Sequence, residues 1–490
     1  MTPVPITDVA LLIPELILVG MALALLLGAS RIRKAGLATT GTVLAALAAA
    51  LASWLMLGRG ELLGFSEMIT VDGYSQFFKI LIAAALALTA LLSVKRVDSK
   101  FVRPAEYHAL LLLASTGMMI AVSSLDLMTL YLGLELTTLC SYVLVGITVD
   151  KTESNEAAIK YFLLGSFASA LFLYGIALIY GATGATDFQA ISLVLSENGL
   201  GSDPLFVAGA GLLTAGLAFK IAAVPFHAWA PDAYEGAHAP VAAFLATASK
   251  AAGLAALGRV CWAAFKTPGN PLQVDKLLPE VSMVLVGLAA LSIIVGSIIA
   301  LAQTNIKRLL AYSSIAHAGY ALLGFISGTN AGTEATMTYA FLYVFMTLGA
   351  FGIVIALEDR GETLDGYQGL AVQRPKTAAL MLLFLLSLTG IPPTAGFMAK
   401  FVVILNVVQQ GYHALAILAV ACSVITAFVY LRVAVLMYMQ QPPVAAAAAP
   451  DETLSSRLPL AVSAALAVAA LVTVIGGVFP GVLTSWAVAP

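Results

Sequence analysis

Runs of about twenty apolar residues recur along almost the whole of this 490-residue chain, and that spacing ties it to a membrane. A helix rises about 1.5 Å per residue, so about 20 apolar residues match a hydrocarbon core about 30 Å thick. Within that core each backbone N–H and C=O must be paired inside the structure, which leaves helices for runs of this length. Fourteen runs are legible, near 8–28, 37–57, 75–94, 107–123, 125–147, 158–180, 205–223, 240–262, 282–302, 308–326, 337–357, 377–400, 413–436 and 459–485. They predict an all-α polytopic membrane protein of about fourteen transmembrane helices. Composition excludes a water-soluble globule: 61% of residues are hydrophobic and 10% charged, where soluble domains carry about 25% charged residues.

Several functional classes drop out. The net charge of −2 gives no footprint for nucleic acid. Cys140, Cys261 and Cys422 lie far apart in apolar runs, unlike the clustered cysteines that hold zinc or iron–sulfur clusters. The five histidines are scattered, and no Gly-rich strand-to-helix loop offers a phosphate cradle. The chain is therefore expected to hold no metal and no redox cofactor of its own. Its N-terminus, MTPVPITDVALLIPEL, lacks the basic region of a signal peptide, so the first run is expected to stay as a membrane helix.

Basic residues orient the bundle. Loops after odd-numbered runs carry Arg31, Arg33, Lys34, Lys95, Arg96, Lys100, Arg103, Lys151, Lys160, Lys307, Arg308, Arg360, Arg374, Lys376 and Arg457. Loops after even-numbered runs carry only Arg59, Lys266 and Lys276. The odd loops are therefore expected in the cytoplasm and both termini on the periplasmic side. Segment 181–204 has Asp187, Glu197 and Asp203 but no Lys or Arg, which suits the outer side. The stretch 442–456 is low in complexity and reads as a flexible cytoplasmic linker.

Sliding the chain over itself shows a weak internal repeat. Residues 124–146 echo 302–324 through Leu132/Leu310, Tyr142/Tyr320 and Gly146/Gly324, and 224–234 echo 391–401 through Pro225/Pro392. The fifth helix thus pairs with the tenth and the seventh with the twelfth. A shift of five crossings is odd, so the two copies must run in opposite directions, as in many transporters. The resulting division is 1–104 for three N-terminal helices, 105–265 for the first repeat, 280–440 for the second, 441–457 for the linker and 458–490 for the last helix. Pro225, Pro392 and Pro393 cannot donate to the turn before them. Helices 7 and 12 are therefore expected to be broken, and broken helices at membrane depth line polar cavities.

Four ionisable residues lie inside apolar runs: Glu135, Lys220, Lys250 and Lys400. A charge at mid-membrane costs about 3 kcal/mol on insertion scales, and such residues mark ion and proton paths by default. The competing reading is a set of structural ion pairs. Burial disfavours a charged lysine while a nearby carboxylate favours it, so a lysine poised between the two can pass a proton on. The expected path runs from Glu135 and Lys220 through Lys250 to Lys400. His227, beside the first break, could extend it; His317 is the weaker candidate, with a packing role competing. Glu15 could be a relay group or lie near a helix start. Lys79, Arg259 and Arg432 lie toward span ends and read as snorkelling. Asp232 and Glu235 read as loop carboxylates that orient the break. The echoes of Glu135 and Lys220 in the second copy are Ser313 and Ser387, so the halves are not chemically equivalent.

The stretches DLMTLYLGLELTTLCSYVLVG, EAAIKYFLLGSFASALFLYGIALIYGATG, FKIAAVPFHAWAPDAYEGAHAPVAAFLATASKAAG, NIKRLLAYSSIAHAGYALLGF and LTGIPPTAGFMAKF together resemble the subunit N family of proton-pumping NADH:quinone oxidoreductase, respiratory complex I. The resemblance implies an antiporter-like fold with two inverted five-helix repeats. It also implies a place in the membrane arm of a bacterial inner-membrane complex, beside neighbouring antiporter-like and small subunits. Partner subunits would hold NADH, FMN and the iron–sulfur clusters, and the complex would use a quinone. By motif, Glu135 matches the family's fifth-helix glutamate, Lys220 its seventh-helix lysine, Lys250 its eighth-helix lysine and Lys400 its twelfth-helix lysine. One departure is EGAHAP, where the family more often reads EGAPTP, so His238 stands at a proline position. Two readings compete with a proton-translocating subunit: a member of a multi-subunit Mrp-type cation/proton antiporter, and a non-conducting scaffold of the membrane arm. Membrane subunits of related hydrogenases share these motifs.

Overall fold

The computed structural model describes residues 6–30, 35–97, 103–267, 276–441 and 458–479. A short α1 (Ile6–Ala10) leads into α2 (Ile13–Leu27), α3 (Ala35–Met56), α4 (Gly73–Val97), α5 (Pro104–Ser123), α6 (Leu127–Val145) and α7 (Thr152–Thr183). There follow α8 (Phe188–Asn198), α9 (Pro204–Ile221), α10 (Trp229–Gly236), α11 (Ala239–Phe244) and α12 (Lys250–Arg259). The second half holds α13 (Pro279–Leu301), α14 (Ile306–Leu322), α15 (Asn330–Ala356), α16 (Leu370–Gln373), α17 (Pro375–Thr389), α18 (Ala395–Gln409), α19 (His413–Met439) and α20 (Leu460–Val478). Two small antiparallel hairpins interrupt the helices: β1 (Leu62–Gly64) with β2 (Ile69–Val71), and β3 (Lys266–Thr267) with β4 (Lys276–Leu277). Eleven helical segments are long and apolar enough to cross a membrane, α11 and α12 forming one continuous span. The shorter α2 and α14 and the interrupted pair α17–α18 complete the fourteen crossings. The expected linker, 442–456, and both chain termini lie outside the described residues.

The two repeats are visible in backbone hydrogen bonds. Asp126 caps α6 by accepting from the N–H groups of Met128 and Thr129, and Asn305 caps α14 by accepting from Lys307 and Arg308. Beside the first cap, Leu127 N–H donates to the Thr186 carbonyl and Phe188 N–H to the Leu125 carbonyl, each at 2.9 Å. Beside the second, Ile306 N–H donates to the Glu362 carbonyl and Leu364 N–H to the Thr304 carbonyl, each at 2.8 Å. The helix hairpins match too. A Cβ on Gly117 of α5 would meet the Gly133 carbonyl oxygen of α6 at 2.5 Å, and one on Gly296 of α13 would meet the Ala316 nitrogen of α14 at 2.5 Å. The same motif recurs after five crossings, so the two copies close opposite ends of the bundle.

Both broken helices are present. Helix α9 stops at Ile221 with Ala222 left-handed at φ 57°, and α17 stops at Thr389 with Gly390 left-handed at φ 89°. The twelfth crossing continues to Gln409, beyond the expected limit of 400, because the apolar run FVVILNVV extends the half-helix past Lys400. Segment 181–204, which reads as a loop, contains α8. Asp187 caps it through Ala190 N–H, and Phe188, Ile191 and Leu195 lie buried on one face.

Two snorkelling assignments are overturned. Lys79 is fully buried and lies 2.7 Å from buried Glu15. Arg259, also buried, grips Asp72 with both terminal nitrogens, at 2.5 and 2.9 Å. Each finds its counter-charge on another element inside the protein, so neither needs to reach for water. Burial alone would raise the Asp72 carboxyl, but the Arg259 guanidinium outweighs it and holds the group at about 2. Arg432 donates to the carbonyls of Leu301 and Gln303 at the end of α13, a favourable place for a cation. Asp232 and Glu235 lie on α10, not in a loop.

Candidate functional site

The first break satisfies its own backbone. Ala223 N–H donates to the Ala218 carbonyl, the Trp229 indole N–H takes the Phe219 carbonyl at 2.9 Å, and Val224 N–H reaches Ser292 Oγ on α13 at 2.8 Å. The second break leaves the Thr389 carbonyl free of its helical donor, and the Lys400 ammonium occupies it at 2.8 Å. A helix C-terminus carries partial negative charge, so a cation is stabilised there. Lys220, in the last turn of α9, sits at the same kind of end.

Glu135 on α6 and Lys220 form an open pair. Their nearest charged atoms are 3.8 Å apart, and the carboxylate and ammonium side chains keep 20% and 10% exposure. Each is held by a hydroxyl: Ser169 of α7 donates to Glu135 Oε1, and Lys220 donates to Thr138 Oγ1, one turn from Glu135. The geometry keeps the two charges coupled without closing them on each other. Thr138 and Ser169 carried no signal in the sequence, because single hydroxyls in apolar helices are common and usually bond back to their own turn.

Lys250 opens α12 directly after the π turn Leu245–Ser249. Such turns release backbone groups and frequently mark functional positions. The lysine is buried and donates to the Ser314 carbonyl at 2.9 Å and to Ser314 Oγ, both on α14. One turn further along, Gly253 packs on α9, where an added Cβ would lie 3.5 Å from Lys220 Cβ. Lys250 therefore stands between Lys220 and α14.

Helix α14 carries the rest of the line. Ser313 hydrogen-bonds the Tyr430 hydroxyl, which lies 3.4 Å from His317 Nε2, while His317 Nδ1 pairs with the Tyr339 hydroxyl at 2.6 Å. One turn on, the Tyr320 ring receives the Lys400 ammonium 4.9 Å from its centroid, and Ser423 accepts from Lys400 at 3.0 Å. His317, the weaker histidine from the sequence, thus lies in a hydrogen-bonded set with Ser313, Tyr430 and Tyr339, on the stretch of α14 between Ser314, which meets Lys250, and Tyr320, which meets Lys400. His227 does not join it: the ring is half-buried beside the break, and its Nδ1 has no hydrogen-bond partner among the described residues. Ser387, the echo of Lys220, accepts from Gly396 N–H and holds the two halves of the second break.

At one end of the bundle the loops after odd-numbered crossings surround a cavity of about 780 Å³. Arg308 spans it, 2.7 Å from both Asp232 and Glu235, and Lys160 bonds Asp232 at 3.0 Å. Lys307 pairs with Glu362 and donates to the carbonyls of Glu235 and Ala237. His238 bonds Thr148 at 2.5 Å on the same wall. The charged cluster ties α7, α10 and α14 together, and hence ties the first break to the helix that carries His317.

A multi-pass bundle with two inverted repeats, two broken helices and a line of buried lysines defines an antiporter-like membrane subunit. Residues 124–426 match the family described as NADH:quinone oxidoreductase/Mrp antiporter, TM. The chain is 43% identical to NADH-quinone oxidoreductase subunit N of Desulfovibrio desulfuricans, over 98% of this chain and 96% of that one. Among solved structures it resembles a chain of respiratory complex I from Thermus thermophilus, with a TM-score of 0.80, 34% identity and coverage of 96% and 99% of the two chains. A chain of the Mrp complex from Dietzia shares the fold, with a TM-score of 0.82 at 21% identity over 98% and 96% of the two chains. The chain belongs to the NADH-quinone oxidoreductase subunit N family.

Proposed function

We propose that the chain translocates protons as a membrane-arm subunit of an NADH:quinone oxidoreductase in a bacterial inner membrane. Partner subunits hold NADH, FMN and the iron–sulfur clusters, and quinone reduction elsewhere in the complex drives the transfer. The observation that carries this reading is the docking of both Lys250 and Lys400 on α14, with Ser313, Tyr430, His317 and Tyr339 between them. A scaffold has no need of two buried lysines docked on one helix with groups of exchangeable protons spaced between them. The domain limits 105–265 and 280–440 put Glu135, Lys220 and Lys250 in one repeat and Lys400 in the other, so the line crosses the boundary once, at α14.

In this reading the charged cavity gathers protons on the cytoplasmic side. The open Glu135–Lys220 pair sets the charge state of Lys220: an approaching carboxylate favours the ammonium, and a receding one favours its release. The proton then passes to Lys250, along α14, and to Lys400, where the helix end and the Tyr320 ring stabilise the cation.

The test is proton pumping by assembled enzyme in vesicles. Lys220→Ala and Glu135→Gln are expected to cut pumping and coupled quinone reduction at least tenfold while the complex assembles. Wild-type pumping in an assembled variant would favour the scaffold.

A further inference from the structure

The line through α14 leaves unused a second set of buried polar groups, on α2–α5. At its heart is the Glu15–Lys79 pair, closed at 2.7 Å and buried on both sides. Apart from this mutual contact, neither side chain has a hydrogen-bond partner among the described residues. An ammonium has three protons and a carboxylate about four lone-pair sites, so one contact leaves most of that capacity unmet. The neighbouring helices repeat the pattern. Gln76 Oε1 and Thr89 Oγ1 of α4, Ser115 Oγ, Ser123 Oγ and His108 Nδ1 of α5, and Ser53 Oγ of α3 are also buried without a partner.

These atoms are arranged along the helices, not scattered. His108, Ser115 and Ser123 stand seven and eight residues apart on α5, two turns each and so on one face. From Gln76 to Thr89 the set spans about 20 Å of α4, and from His108 to Ser123 about 22 Å of α5, at about 1.5 Å per residue. One end lies beside the Asp72–Arg259 pair, where Arg259 also reaches the Val122 carbonyl, next to Ser123. The other end is closed by His108 on Thr39 at 3.1 Å and by Ser93 on Tyr107 at 2.8 Å. Leaving so many buried polar atoms unpaired would cost several kcal/mol. Polar interiors of this kind hold ordered water, while apolar ones stay dry.

We propose that α2–α5 enclose a water file, separate from the Glu135–Lys400 line, through which protons reach Glu15–Lys79 as a second titratable pair. The file opens beside Asp72 and ends at His108, and its ligand is water and the protons water carries. Gln76, Ser123 and Ser115 supply its hydrogen-bonding wall.

The test uses the purified whole complex in detergent, with both faces open to reagent. Ser115→Cys and Leu112→Cys each place a thiol at a fully buried position of α5, less than one turn apart. Labelling by a small ethylammonium thiosulfonate is read from the mass of the α5 peptide. The file predicts that Ser115→Cys labels at least tenfold faster than Leu112→Cys. Equal rates would overturn it. Should either variant fail to assemble, a high-resolution map of the wild-type complex decides. Ordered water density within hydrogen-bond reach of Lys79 Nζ and Ser115 Oγ supports the file, and a dry interior there overturns it.

Discussion

Among the described residues, two largely buried glutamate–lysine pairs join different helices of the bundle, and they are built differently. Glu15–Lys79 is closed at 2.7 Å and buried at 3% and 0% exposure, and among the described residues no hydroxyl bonds to it. Glu135–Lys220 stands open at 3.8 Å, partly exposed, with Ser169 on the carboxylate and Thr138 on the ammonium. The same two residue types thus give a locked contact in one place and an adjustable one in the other. The hydroxyls make the difference, because they take up hydrogen-bonding capacity that would otherwise draw the charges together. A pair held apart can move either way, closing to strengthen the attraction or opening to weaken it, which suits the proton transfer proposed for this site.

The sharpest way to break this comparison is to remove the same atom from each pair. Lys220→Met is expected to lower coupled proton pumping at least tenfold with normal assembly. Lys79→Met instead leaves the buried Glu15 carboxylate without its counter-charge, and breaking a buried pair by removing one partner costs about 3–5 kcal/mol. Loss of assembled subunit on native gels, with near-normal turnover in whatever complex remains, is the expected phenotype. The double substitution Glu15→Gln with Lys79→Met removes both charges and is expected to restore much of the assembly. If Lys79→Met assembles normally yet fails to pump, the two pairs have been assigned the wrong way round.

A smaller effect is expected at Asp72–Arg259, where Asp72 stands just before α4 and Arg259 closes α12. The Asp72 carboxyl, held at about 2 against an ordinary 3.8, contributes about 2 kcal/mol of stability. The folded value is depressed, so that stability is fully present above about pH 4. It fades as the pH falls from there toward 2. Asp72→Asn should therefore lower the thermal midpoint at pH 7, and the gap between variant and wild type should narrow as the pH falls through the acid range. A gap that stays constant with pH would show that the carboxylate charge is not what holds Arg259.

The difference between the pairs also marks how far the chain can be read without its structure. The fourteen crossings were legible because apolar length is a direct signal, and the breaks because Pro225, Pro392 and Pro393 cannot supply a helical donor. Lys79 and Arg259 were misread as snorkelling because their partners, Glu15 and Asp72, lie far away in sequence, and burial in a polytopic bundle depends on neighbours that hydropathy cannot place. The residues of α14 were half legible. Ser313 surfaced only as an echo of Glu135, and His317 as an isolated titratable group. Tyr430, Tyr339 and Ser314 emerged only when the helices were assembled around them. The π turn before Lys250 had no signal in its run of small residues, since it comes from packing and not from local preference.

The smallest expected effect is the most direct test of the hydroxyls. Thr138→Val removes the acceptor that holds Lys220 back, and Ser169→Ala removes the donor that holds Glu135. Neither touches a charge, and each removes one hydrogen bond to a charged group, worth about 1.5–3 kcal/mol. With its hydroxyl gone, the pair is expected to close from 3.8 Å toward the 2.7 Å of Glu15–Lys79, which stabilises the charged lysine and slows its release. Pumping should fall a few-fold in each single variant and further in the double variant, with assembly unchanged. A structure of the double variant should show the closed pair. Full pumping with the pair closed would mean that the separation of charges is incidental and that Lys220 loses its proton by another route.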